Sequence, residues 1–512
     1  MEIDGAIAGT AADGLTVVAA GVVVRGLSVY GFEGGSGVVL AVGAAGARVE
    51  NCHLGTDAAG TRELPNDVGV RIESAGASVV GSVVSGNRDY GLLVRGANAV
   101  VSGNLIGTDA AGTAALGNNT AGILVDGATG TVVGGGAAAD RNVISGNDND
   151  GVEVVGGSAA AAATVIAGNW IGPDATGTRV LGNAGDGVRI GRVGRDPTDF
   201  STVYVPGRNV TVGGTAAAAA GNVIAGSQGD GVGIDAGVGV TVVGNVVGLA
   251  PGGAAATDAA GTSWGNVGNG VQVQGTSDQI VVGGTTVAAR NVIANNAQDG
   301  VRLFTAAATA AVAVRGNYIG TAADGTSARG NEGNGVSVYT GGTTADGMTV
   351  GGTAAGAGNV IAANAGHGVD LEDAAVVRGN LVGTAADGVT PLGNDEHGIY
   401  VDAPGCVVGS PTGPVDPAAA NRVAFNGWSG VVVAWGDGSA VRGNAVWSNG
   451  QLGIDLGDDG VTANDAGDAD DGPNGLQNYP VLTSATRSGG TVAVAGTFDS
   501  APGATYVLDV YG

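Results

Sequence analysis

Apolar and polar positions alternate in short bursts along this chain, and each burst follows a glycine. Fifteen copies start at Gly14, Gly37, Gly69, Gly91, Gly122, Gly151, Gly187, Gly231, Gly270, Gly300, Gly335, Gly368, Gly398, Gly430 and Gly453. Typical bursts read Gly-Val-Glu-Val (151–154) and Gly-Val-Arg-Ile (187–190), an alternation that predicts half-buried strands. The first and third residues after the marker glycine face inward and the second faces out. Two further short β-branched runs lie between markers, as in Thr131-Val-Val and Asn142-Val-Ile-Ser-Gly-Asn147. No stretch sustains a 3.6-residue apolar period, so helices are expected to be nearly absent.

The shortest spacing between markers is 22 residues and the longest 44. Repetition at this period predicts a solenoid in which each repeat buries its apolar face against its neighbours. Three strands per coil is the arithmetic of a three-sided parallel β-helix. About fifteen coils at about 4.8 Å per strand spacing make a rod roughly 70 Å long. The 103 glycines fit sharp corners, where positive φ is expected, with Asp and Asn as substitutes. Two rows of such substitutes recur. One is the residue before the marker (Asp13, Asp150, Asp186, Asp230, Asn269, Asp299, Asn334), and the other is Asn87, Asn147, Asn364, Asn426 and Asn449. Both read as turn devices able to bond the next coil. Alternate coils carry an arm of the type Gly107-Thr-Asp-Ala-Ala-Gly-Thr113 or a Gly-Gly arm such as 134–144. The arm acids Asp57, Asp109, Asp174 and Asp258 read as turn caps.

The units Gly-Asn-x-Ile-Gly-Thr-Asp-x-x-Gly-Thr and Asn-Val-Ile-Ser-Gly-Asn resemble those of right-handed parallel β-helix repeat proteins, mostly secreted or surface-attached. The resemblance covers about residues 1–455 and implies an all-β, right-handed parallel β-helix with a short C-terminal β cap. Residues 456–480 form an acidic, turn-rich loop. Residues 481–512 alternate like a hairpin, with strands expected at 491–498 and 505–510, and resemble the sandwich-like segment that follows the helix in such proteins. The same fold carries pectate lyases, epimerases, tailspikes and adhesins, so it does not choose a function.

Charge narrows the partners. Forty-six acidic and 20 basic residues, every one of the latter Arg, leave a net charge of −26. Such a surface repels nucleic acid. No apolar run is long enough to span a membrane. No signal peptide opens the chain, so it reads as a piece of a longer secreted or cell-surface protein whose export signal is absent. Cys52 and Cys406 lie at opposite ends of the rod and read as unpaired core residues.

Candidate chemistry is sparse. The outward marker column places Arg302, Ser337, Asp370 and Tyr400 on four adjacent coils, with His367 and His397 before their markers and about 5 Å apart. As an enzyme, this chain would use Arg302, His367, Asp370, His397 and Tyr400 on a uronic-acid polymer, an Arg or His taking the proton next to a carboxylate. Against that, the histidines stand where turn-formers stand in other coils, and no lyase or epimerase signature is present. Only 4% of residues are aromatic, although Trp428, Trp435 and Trp447 cluster late in the chain, as a binding patch or a core cap. Asp458, Asp459, Asp465, Asp468, Asp470 and Asp471 offer hard oxygen ligands suited to calcium. No other cofactor is expected. The reading is a non-catalytic extracellular stalk that binds a polysaccharide or other surface proteins. The alternative is a polyuronate lyase, epimerase or hydrolase. An ice- or mineral-binding face ranks last, because it needs a regular outward Thr array.

Overall fold

The computed structural model describes all residues except 196–201, 216–219, 306–310, 340–346, 412, 504 and 508–512. Three parallel sheets run the length of the rod, with 15, 15 and 14 strands. We call them the marker sheet (strands after the marker glycines), the middle sheet and the closing sheet (the Asn-Val-Ile strands). One coil passes through Ala121–Asp126, Val132–Gly134 and Val143–Ile144 in that order. Among the described residues there is no α-helix, only four short 3₁₀ turns. The chain is a parallel β-helix.

The expected outward column pairs in register, for example Glu153 with Arg189, Arg302 with Ser337, and Asp370 with Tyr400. Its inward neighbours form the core: Val152, Val154, Val336 and Val338 are buried. That inner surface is continuous from Val17 to Val431. Small β-branched side chains suit it because each coil must nest on the next along a narrow triangular interior.

Two buried asparagine ladders close the corners. In one, Asn87, Asn118 and Asn147 each donate from Nδ2 to Oδ1 of the next, at 2.8 and 2.9 Å. It continues to Asn449, with Ser227 replacing Asn in one coil. The second ladder runs from Asn104 through Asn142 and Asn169 to Asn444. Most of these amides also bond a carbonyl of the preceding coil, as Asn118 does to Val84. Buried amides are tolerated because their donors and acceptors are matched. The first ladder contains the expected row. The second was not foreseen, though its mark is the recurrent Gly-Asn before the closing strand.

The corner residues correct one expectation. Neither the marker glycines nor the Asp and Asn before them have positive φ. A Cβ on Gly151 would stand 2.6 Å from the Gly187 carbonyl oxygen and 3.0 Å from Asn183 Nδ2. Space, not backbone handedness, selects glycine there.

The arms of the first type are tight loops capped by an aspartate of their own. Asp57, Asp109, Asp174 and Asp258 accept N–H bonds from Thr61, Thr113, Thr178 and Thr262. Cys52 and Cys406 are buried and unpaired. In the 456–480 segment, Asn474 docks on the last coils, donating to Ser439 O and accepting from Ser439 N. Val481–Ser488 and Thr491–Thr497 form an antiparallel hairpin whose side chains are exposed. The strand expected at 505–510 is not found in residues 505–507, and the rest lies outside the described residues.

Candidate functional site

Chemistry-bearing side chains gather on the outer marker sheet, in the column before each marker glycine and in the second and fourth positions after it. The middle sheet presents mostly uncharged residues instead. Its outward column reads Val132, Val165, Thr211, Thr241, Val281, Ala313, Thr349, with no regular Thr array.

The pre-marker column is a third ladder. Asp186 N–H bonds Asp150 Oδ1, Asp230 N–H bonds Asp186 Oδ1, and Asn269 N–H bonds Asp230 Oδ1, at 2.8, 2.7 and 2.6 Å. The pattern continues through Asp299 and Asn334 to His367 N–H. The histidines then take over. His397 N–H points at His367 Nδ1 (3.3 Å) and Ser429 N–H at His397 Nδ1 (3.2 Å). A ring nitrogen that accepts an N–H carries no proton, so each neutral imidazole holds its proton on Nε2. Burial and the neighbouring His397 push the His367 pKa down to about 4, and burial lowers that of His397. Glu396 Oε2 also lies 3.2 Å from His367 Nδ1. At neutral pH that contact is subordinate, because the ring is neutral.

His397 is 1% exposed. Its Nε2 is 3.3 Å from Asp458 Oδ1 but makes no aligned hydrogen bond, and the buried Asp455 Oδ1 also lacks a partner. His367 stacks on Tyr400 at 4.8 Å and 5°, and on His397 at 5.2 Å. Trp428 meets His397 edge-on at 5.0 Å and is 42% exposed.

Asp370 accepts from Asn334 Nδ2 at 3.0 Å. Burial, then the charges of Glu372, Asp299 and Asp402, push its carboxyl up to about 7. Arg302 forms no ion pair or hydrogen bond with another described residue. Thus the structure brings His367, His397 and Tyr400 into contact, and puts Asp370 in register with Tyr400. Arg302 lies two coils from Asp370 and makes no bond to it.

Sequence reasoning missed two features. Phe304 and Tyr339, each four residues after a marker, stack at 5.0 Å on adjacent coils and are partly exposed. They stand in the fourth-position column, apart from Tyr400 and Trp428, and Trp435 pairs with Asp402 in that column. Trp447 is not in it, for it lies on the closing sheet against Phe425. The second feature is a network on earlier coils. Arg192 grips Glu153 with two bonds of 2.8 and 2.7 Å, and Arg189 binds Asp235 at 2.8 Å. Burial pushes Asp150 up to about 6, and burial with the charges of Asp230 and Asp150 pushes Asp186 up to about 8.

Of the six expected metal ligands, Asp465, Asp468 and Asp470 bring carboxylate oxygens within 4.8 Å of one another. Asp470 Oδ1 is buried without a partner, whereas Asp468 is engaged by Asn478 N–H and Ser500 Oγ. Asp458 faces His397 instead, and Asp459 and Asp471 stand outside the trio. Three hard oxygens in one loop suit calcium better than a softer metal.

No protein-family model matches the chain, and no curated protein sequence does. Solved structures similar to it include a periplasmic alginate epimerase, AlgG, at 12% identity, covering 85% of this chain and 77% of that one, with a TM-score of 0.36. The A-module of the Azotobacter vinelandii mannuronan C-5 epimerase AlgE4 is 15% identical, covering 71% and 80%, at 0.36. PfbA, a surface adhesin of Streptococcus pneumoniae, is 10% identical, covering 96% and 91%, at 0.26. At such identities the likeness concerns the fold alone.

Proposed function

We propose that this chain is a non-catalytic, extracellular β-helix, a stalk whose marker face binds a polysaccharide or another surface protein. One observation carries the non-catalytic reading: both histidines spend Nδ1 on backbone N–H groups and carry their proton on Nε2. Neither keeps a free lone pair for a general base. The extracellular placement follows from the resemblance of the repeat units. The binding reading follows from the aromatics of the marker face, the stacked pair Phe304 and Tyr339, then Tyr400 and Trp428 beside the histidines, and Trp435, whose rings offer apolar faces for sugar C–H groups. Calcium enters as a structural ion of the 465–470 loop, held by Asp465, Asp468 and Asp470.

A polyuronate lyase, epimerase or hydrolase is the second reading. It is favoured by Asp370, a carboxyl that holds a proton near neutral pH beside Tyr400 on the open face.

Electrophoresis through gels containing soluble polysaccharides tests the binding surface. Wild-type protein is expected to be retarded by at least one polymer, and the Tyr339→Ala/Trp428→Ala double variant to migrate freely. Equal retardation of both removes the marker face as the binding surface.

A further inference from the structure

The middle sheet carries a second outward column in which arginine and glycine alternate. From coil 9 to coil 14 it reads Gly283, Arg315, Gly351, Arg378, Gly409, Arg442. Gly283 and Gly351 open Gly-Gly arms and Gly409 opens a Gly-Ser arm, with φ of 88°, 87° and 90°. Within this stretch the coils without a Gly-Gly arm place an arginine there instead. Arg315 therefore lies between the arms at 283–290 and 351–358, and Arg378 between 351–358 and 409–420. The next residue pins the arm beyond: Gly316 N–H bonds Ala357 O at 2.9 Å, and Gly379 N–H bonds Ala419 O at 3.1 Å. Each slot is thus built from backbone.

In the last slot, Arg442 Nη1 bonds the arm carbonyls of Pro411 and Gly413. Arg315 and Arg378 have no such partner among the described residues. Their Nε atoms are buried without hydrogen bonds, and each residue as a whole is partly exposed. The arm residues 283–289 and 351–358 contain no charged side chain. Arg290, at the base of the first arm, is occupied in stacking over Tyr318 at 4.0 Å. Elsewhere Arg25, Arg71, Arg95, Arg189 and Arg192 pair with acids, and Arg141 stacks over Trp170.

We propose that the Arg315 and Arg378 slots bind acidic groups of an extended anionic polysaccharide lying along the rod. The slots are two coils apart, about 10 Å at twice the strand spacing. An extended glycan presents equivalent groups at a comparable interval, once per disaccharide. A guanidinium suits a carboxylate or sulfate through paired N–H bonds. The walls at 283–289 and 351–358 supply no competing acid, and Asp416 in the remaining arm is engaged in capping Ala418 N–H. Nucleic acid fits worse, because its closely spaced phosphates would also meet the surrounding acidic surface.

Calorimetry at low salt with polygalacturonate, chondroitin sulfate, neutral dextran and single-stranded DNA tests this. Wild type is expected to bind one or both acidic glycans and not dextran. Arg315→Gln/Arg378→Gln should weaken that binding about tenfold or more. The Lys pair should retain part of it, and Arg88→Gln, at an exposed cation paired with Glu33, should retain all of it, which shows that the loss belongs to the slots and not to net charge. If the Gln pair melts early, single Arg378→Gln against Arg378→Lys makes the comparison. Undiminished binding by the Gln variants, no binding of either acidic glycan by wild type, or a preference for DNA overturns the proposal.

Discussion

A marker glycine is held by what lies on the next coil. A Cβ on Gly300 would stand 2.7 Å from the Gly335 carbonyl oxygen and 2.8 Å from Asn331 Nδ2. At Gly453, on the last coil, it would meet only Val446 Cγ1, at 3.7 Å. Gly300→Ala is therefore expected to destabilise by about 1–3 kcal/mol, the usual cost of overpacking a tight interior. Gly453→Ala should leave chemical denaturation nearly unchanged. Equal effects would show that backbone conformation, not space, selects glycine. The sequence displayed these glycines openly but suggested the wrong reason, since composition does not distinguish a left-handed corner from a crowded extended one. The histidines were legible as corner residues. Their tautomer was not, because it depends on backbone N–H groups about 30 residues away.

At the scale of an element, the pre-marker ladder stacks three carboxylates, Asp150, Asp186 and Asp230, on successive coils. With its pKa raised to about 8, Asp186 keeps its proton in the folded chain where an unfolded aspartate, near 3.8, has lost it. Its effect on stability therefore runs against alkali: stability falls as pH rises from about 4 to about 8. Asn fills the same column at Asn269 and Asn334, so Asp186→Asn preserves the acceptor and removes the charge. Thermal melts should place the variant above wild type at pH 8.5 and level with it near pH 4. The reverse order would contradict the buried, protonated carboxyl. Alternation alone revealed this column, but Arg189 and Asp235 are 46 residues apart in sequence and meet only through the coil geometry. In the 465–470 loop, calcium is expected to raise the melting temperature and a chelator to reverse it, at constant ionic strength, because an ion bound only by the native state stabilises it. Superimposable melts would leave the aspartates without an ion.

The whole molecule is a rod whose repetition made its fold readable from spacing alone. Function was far less legible. Marker positions reveal which side chains face out, but not which of those are spent on ladders and ion pairs. The absence of catalysis is most directly tested by incubating the chain with a panel of polyuronates. Absorbance would report unsaturated products, and isotope exchange at the carbon next to the carboxylate would report epimerisation. The expected result is no turnover and no exchange. His397→Asn keeps a corner acceptor like that of Asn334. Turnover in the wild type that this variant abolishes would contradict the non-catalytic reading and make the marker face an active site.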